Sequence, residues 1–130
     1  MKYLLDTGVW LWGASEPERI NPDARRLIAE GREELYLSAV TSWEISIKSA
    51  LGKLLLPEPP TVYVPKRLAI QGIRPLPITH THALGVSDLP LHHRDPFDRL
   101  LIAQALAEEM AILTADRAFG RYRVEVFWCD

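Results

Sequence analysis

Four acidic residues, Asp6, Glu44, Asp98 and Asp116, stand far apart in the chain, and each has a local setting that puts it at the start of a helix. Asp6 closes the apolar run Tyr3-Leu4-Leu5, and Asp116 follows Ile112-Leu113-Thr114-Ala115; both runs read as short buried strands. Glu44 sits in Thr41-Ser42-Trp43-Glu44, and Asp98 in Asp95-Pro96-Phe97-Asp98. In an open parallel sheet the carboxyl ends of the strands converge on one crevice, where ligands bind. Carboxylates gathered there repel one another unless a hard divalent cation neutralises them, and Mg²⁺ or Mn²⁺ with oxygen ligands meets that need. The acids therefore point to a metal-dependent site acting on phosphodiesters.

The elements that must carry them alternate strand and helix. Tyr3-Leu4-Leu5 is a strand, with a helix starting over Thr7 to Trp12. Pro22 to Glu30 reads as a helix with Asn21 as N-cap, Pro22 at its first position and Gly31 as its stop. Leu35 to Ser38 is a second strand. Thr41 to Leu51 is a helix whose core face would hold Trp43, Ile47, Ala50 and Leu51. Leu54 to Pro60 is a proline-punctuated loop and Tyr63 to Gln71 a helix; Pro75 and Pro77 confine Ile73 to Ile78 to an edge strand. Pro96 to Met110 is the strongest helical pattern, followed by strands at Ala111 to Thr114 and Val124 to Phe127. Such alternation argues for a parallel sheet covered by helices on both faces.

Bulk properties are consistent with that. A chain of 130 residues, 48% hydrophobic, suits a single domain over residues 1–130. The net charge of −2 does not exclude a nucleic-acid substrate, because acids concentrated in a metal site leave Lys and Arg free for the rim. One cysteine, Cys129, allows no internal disulfide, and no apolar run is long enough to span a membrane; both fit a cytoplasmic protein.

Each acid also has a purely structural reading. Thr41 and Glu44 match a capping box, and Glu44 is one turn from Lys48. Asp95 suits an N-cap, with Pro96 first and Asp98 third in the helix. Asp6 and Asp116 suit caps as well. The joint pattern favours a site, and one carboxylate can serve both purposes. Asp6-Thr7-Gly8 matches the triplet of aspartic proteases, but those enzymes are almost wholly β, unlike a chain with helices at Thr41 to Leu51 and Pro96 to Met110. A phosphatase with a second Asp two residues after its nucleophile is excluded by Gly8.

Four stretches resemble one family in order and spacing. They are Leu4-Leu5-Asp6-Thr7, Ser38 through Ile45, His93-Arg94-Asp95-Pro96-Phe97-Asp98-Arg99-Leu100-Leu101-Ile102-Ala103-Gln104-Ala105, and Leu113 through Phe119. Together they span nearly the whole chain, which resembles a PIN domain of the VapC type, the ribonuclease toxins of toxin–antitoxin systems. The resemblance implies a three-layer α/β/α sandwich around a parallel sheet. It implies Mg²⁺- or Mn²⁺-dependent endonucleolytic cleavage of RNA, with Asp6, Glu44, Asp98 and Asp116 as the acidic quartet and Thr114 a polar residue beside it. It also implies a cognate antitoxin as partner and assembly as a homodimer.

On this reading Asp6 and Asp98 are the main ligands, Asp116 binds directly or through water, and Glu44 orients or deprotonates the attacking water or holds a second ion. Asp95 needs only its cap role. Thr7 and Thr114 are placed to position water or phosphate. Arg99 and Arg117, with Arg94, Arg121 and Arg123, are candidates for steering the RNA backbone. His80, His82, His92 and His93 lack a spacing that puts two on one helical face, so surface roles are expected. Trp43 is expected in the core. Trp10 and Trp12, two apart in a helix, cannot both face inward, and one of them, like the Leu54-Leu55-Leu56 run, is a candidate partner contact. The alternative is a PIN-like binding module without catalysis, in which some of the four acids would be lost.

Overall fold

Short apolar runs set the strands of the computed structural model, which describes residues 1–130. β1 (Lys2–Leu5), β2 (Glu34–Ser38), β3 (Arg74–Leu76), β4 (Ala111–Thr114) and β5 (Val126–Trp128) form one sheet in the order β3-β2-β1-β4-β5. All neighbouring strands are parallel; Tyr3 lies opposite Leu35 on one side and Ala111 on the other. The helices are α1 (Thr7–Ser15), α2 (Pro22–Glu30), α3 (Ala39–Ala50), α4 (Pro60–Gln71), α5 (His80–Gly85) and α6 (Pro96–Glu108). No helix is long and apolar enough to cross a membrane.

The pleat sorts strand residues between two cores, because successive side chains point to opposite faces. Leu5, Leu35, Leu37 and Leu113 pack with Val9 and Trp10 of α1, Ala24 of α2, Ile45 of α3, and Tyr63 and Val64 of α4. Leu4 and Ile112 face the other way, against Leu101, Ile102 and Ala105 of α6 and against Phe119. The result is the expected three-layer α/β/α arrangement. The chain builds β1, β2 and β3 outward in one direction, then crosses back through α5 and α6 to place β4 on the other side of β1. The strand order therefore reverses between β1 and β4, and their carboxyl ends flank the crevice that this topology opens.

Several boundaries depart from expectation for local reasons. α3 begins at Ala39, two residues early, because Ser38 is its N-cap and its hydroxyl accepts from the Val40 N–H. Its buried stripe runs through Val40, Thr41, Glu44 and Ile45, so Trp43 is 56% exposed, resting edge-on against Phe97, instead of joining the core. α4 starts at Pro60 and continues through Pro65; the carbonyl left without its usual donor belongs to the exposed Thr61. α5 was not anticipated. Trp10 is buried, and Trp12 lies half-buried under the Arg19 guanidinium, so neither is a free aromatic on the surface. Of the leucine run, Leu54 and Leu56 pack on the core and only Leu55 is exposed.

One buried polar network ties the two site-bearing helices together. Gln104 of α6 is fully buried; its Oε1 accepts from the Ser38 hydroxyl at the start of α3, and its Nε2 donates to the Pro77 carbonyl. Nε2 also reaches His82 Nδ1, which accepts from the Thr79 N–H, leaving His82 Nε2 to donate to Glu108. His82 is thus 2% exposed, not the surface residue its spacing suggested. Replacing Gln104 by Leu strands the Ser38 hydroxyl and the Pro77 carbonyl, so Gln104→Leu should lose about 2 kcal/mol or more in urea unfolding despite the added apolar volume. An unchanged midpoint would show that this network contributes nothing to the joint.

Candidate active site

Asp6 leaves β1 at the reversal point, and its N–H donates to the Leu113 carbonyl at 2.9 Å, which continues the β1–β4 pairing by one residue. It occupies the N-cap position of α1, yet its side chain makes no cap bond. Instead Oδ2 accepts from the Thr114 hydroxyl at 2.8 Å, and the same hydroxyl accepts from the Asp116 N–H at 3.0 Å. Thr114 is fully buried and joins the two strand-end acids. Asp116 Oδ1 accepts from the Ala118 N–H, capping the 3-10 turn at Arg117–Arg121 and leaving Oδ2 for the site.

Asp98 is the third residue of α6. Asp95 is the N-cap, its Oδ1 accepting from the N–H groups of Phe97 and Asp98 at 2.8 and 3.3 Å. Glu44 lies in the second turn of α3 and not at its start, which overturns the capping-box reading: Ser38 is the cap, and the Thr41 hydroxyl pairs with that of Thr7 at 2.9 Å. Both threonines are buried, so Thr7 braces α1 against α3. Lys48 donates to Glu44 Oε2 at 2.6 Å, whereas Oε1 is buried and has no partner. A buried carboxylate oxygen without a donor is costly unless a cation or water meets it.

The acids feel one another. Burial pushes the Asp98 carboxyl up to about 8, with Asp6, Asp95, Glu44 and Asp116 adding repulsion in that order. Asp6 is pushed up to about 6, by burial first; Asp116 and Glu44 raise it further, while the Thr114 hydrogen bond works in the opposite direction. Lys48 is also raised, which for an amine means that the charged form is favoured, by the bond to Glu44 first and then by the charges of Glu44, Asp95 and Asp98, against the effect of burial. Burial, with the nearby Asp6, also holds the Cys129 thiol up to about 12, which favours the neutral thiol over the thiolate.

His93 is the site residue that sequence reasoning missed. It was assigned to the surface, but its side chain is 17% exposed, and Nε2 lies 2.9 Å from Asp98 Oδ2 and 3.1 Å from Asp116 Oδ2. Its ligand atom and those of Asp98 and Asp116 fall within 4.8 Å of one another. Because His93 sits in a loop, no helical or strand period marks it; its only sequence signal is standing two residues before the cap Asp95. His80 and His92 are exposed, and the His92 ring rests edge-on against Tyr122.

The arginines divide. Arg99 is turned inward: its guanidinium donates to the carbonyls of Val86, Leu89 and Pro90 and to the Tyr122 hydroxyl. Arg117 donates to both Asp130 oxygens and covers the Trp128 ring. Arg94, Arg121 and Arg123 are exposed and form no ion pair.

With hard oxygen donors from four elements, a buried Glu44 oxygen lacking a partner, and Asp98 burdened by its neighbours, the donor set suits a hard divalent cation. Comparison with known proteins agrees with this chemistry. Residues 3–125 match the model of the PIN domain family. Ribonuclease VapC22 of Mycobacterium tuberculosis (strain ATCC 25618 / H37Rv) is 30% identical over 121 residues, 92% of this chain and 91% of that protein. Ribonuclease VapC16 of the same organism is 42% identical over 60 residues, a stretch covering 46% of this chain and only 43% of that relative. Among solved structures, VapBC2 from Rickettsia felis bound to a promoter DNA fragment superposes with a TM-score of 0.77 at 15% identity over the whole of both chains, a likeness of fold. The family model takes in all four acids and four of the five strands, β1 to β4, from Tyr3 onward, and the chain belongs to the PIN-domain family.

Proposed function

We propose that the chain is a metal-dependent endoribonuclease, the toxin of a toxin–antitoxin pair, which works in the cytoplasm with Mg²⁺ or Mn²⁺, as a homodimer, and is restrained by its antitoxin. The observation that carries the catalytic reading is the convergence of Asp6, Glu44, Asp98 and Asp116 at the sheet's reversal point, with the Glu44 Oε1 oxygen buried and unmet. Two relatives named as ribonucleases make RNA the substrate to expect. The antitoxin and the dimer follow from the motif resemblance.

In this reading Asp6, Asp98 and Asp116 offer the oxygens that hold the cation, and Glu44 adds a fourth or meets a second ion. A divalent cation there supplies a water activated for attack on phosphorus and neutralises charge on the phosphate. Where Glu44 is not itself a ligand, its free Oε1 would be the group to orient a water and accept its proton, while Lys48 keeps Oε2 and fixes the carboxylate's rotation. Thr114 holds Asp6 at its bonding distance and turns the Asp116 backbone, so its contribution is to place ligands, not substrate.

Purified chain, freed of antitoxin, should cut cellular RNA into discrete fragments in Mg²⁺ or Mn²⁺, should stop in chelator, and should be inactive as Asp98→Asn. Intact RNA from a folded chain that binds no cation would move the protein to a non-catalytic PIN-like module.

The raised carboxyls fix a pH dependence. Asp98 and Asp6 retain protons in the folded state that the unfolded chain releases near its ordinary value of about 4, so metal-free stability is greatest at low pH and declines as pH climbs toward 8. His93, Lys48 and Asp95 share this environment, and only Lys48 offsets the repulsion with a full charge. Thermal midpoints without metal should fall between pH 5 and pH 8. Asp98→Asn should flatten that slope and raise the pH 8 midpoint by at least about 3 °C. Saturating Mg²⁺ should restore the wild-type midpoint at pH 8. A flat wild-type profile would mean the carboxylates are not crowded.

A further inference from the structure

We propose that His93 is a positioning residue for the metal-binding carboxylates: a neutral imidazole whose single Nε2–H is shared between Asp98 and Asp116, drawing the two ligands together from outside the cation's own shell. The inference rests on the metal reading above.

The tautomer is set by the backbone. The Asp95 N–H donates to His93 Nδ1 at 3.2 Å, so Nδ1 carries the lone pair and Nε2 the hydrogen. A nitrogen bearing hydrogen donates; it cannot ligate. That hydrogen faces Asp98 Oδ2 at 2.9 Å and Asp116 Oδ2 at 3.1 Å, two groups whose charges otherwise push apart. Once both carboxyls are ionised, as cation binding would require, donation to them is the stronger kind of hydrogen bond.

The ring and its backbone are held in place by neighbours on the α6 side of the sheet. The Tyr122 hydroxyl accepts from the N–H groups of His93 and His92 at 2.8 and 3.1 Å, and Phe119 meets the ring edge-on at 6.0 Å between centroids. Arg99 pins the preceding loop through three carbonyls. Asp95 therefore acts twice, its side chain capping the helix that carries Asp98 and its N–H choosing the tautomer of His93. Outer partners of this kind orient metal ligands, and removing one costs about 10–100-fold in metal affinity.

The test measures cation affinity by calorimetry, with Mg²⁺ and with Mn²⁺, for the wild-type chain, His93→Ala and His93→Gln. The Ala variant should bind both ions about 10–100-fold more weakly and to a similar extent. Gln, which can still present an N–H, should recover part of the loss. In parallel, long-range ¹H–¹⁵N NMR of the wild-type histidines reads the tautomer without any variant. His93 should keep its Nε2–H pattern when Mg²⁺ saturates the site. A switch to the Nδ1–H pattern on saturation would make His93 a ligand and overturn the inference. Tighter binding by His93→Ala would make it an occupant of the cation's place, and unchanged affinity would leave it no part; either overturns it. A wild-type chain that binds no cation would take down the metal reading and this inference together, whereas each of the other adverse results takes down the inference alone.

Discussion

Repulsion among carboxylates governs the arrangement of this protein. Two like charges about 4 Å apart oppose each other by about 4 kcal/mol at the effective dielectric of roughly 20 that suits such sites. A domain's whole net stability is about 5–15 kcal/mol. Four acids cannot be brought to one crevice on such terms unless the fold fixes them through interactions they do not control. Here each comes from a different element, and each backbone is held by contacts that would persist if the carboxyl were removed. Asp6 is held by β1–β4 pairing, Asp116 by the Thr114 hydroxyl, Asp98 by the Asp95 cap, and Glu44 by the buried stripe of α3.

Local stabilisation is too small to cancel burial and repulsion together, as the upward direction of both carboxyls shows. Asp98 sits where a helix dipole favours negative charge by about 0.3–1 kcal/mol, which would lower its carboxyl. It is nonetheless pushed up to about 8, so burial and its acidic neighbours dominate. Asp6 receives a hydrogen bond from Thr114 and is still raised. Only Lys48 brings a full opposing charge, and it is committed to one oxygen of Glu44. The remaining imbalance is what a divalent cation would relieve.

The legible parts of this site were those whose position follows from a repeating period. Asp6 and Asp116 are found by the apolar runs before them, and Asp98 by the Asp95-Pro96 helix start; the parallel sheet follows from the alternation of elements. Glu44 was identified with a mistaken local role, because Thr41-Ser42-Trp43-Glu44 fits a capping box as well as it fits mid-helix. The decision belongs to Ser38, whose hydroxyl caps first because β2 delivers it directly into the helix. Trp43 was misplaced for the same reason, since moving the helix start does not change the sequence but the choice of buried face depends on the sheet beneath. His93 and His82 are not legible in the sequence: neither has a period to mark it, and the contacts that draw them inward, to Asp98 and Asp116 for one and to Gln104 and Glu108 for the other, exist only once the chain is folded.

The same accounting bears on how a mildly acidic chain meets a polyanion. Arg99 and Arg117, two of the arginines inside the family motifs, commit their hydrogen bonds to the loop before α6 and to Asp130. Arg94, within the third motif, and Arg121 and Arg123, just beyond the fourth, are exposed and without acidic partners. Against the field of four crowded carboxylates, three surface arginines give a phosphate backbone little reason to enter the crevice. A cation that neutralised the carboxylates would remove that opposing field. If both bind at this crevice, affinity for cation and affinity for RNA would be linked, each raising the other by the same factor, as binding to two coupled sites requires.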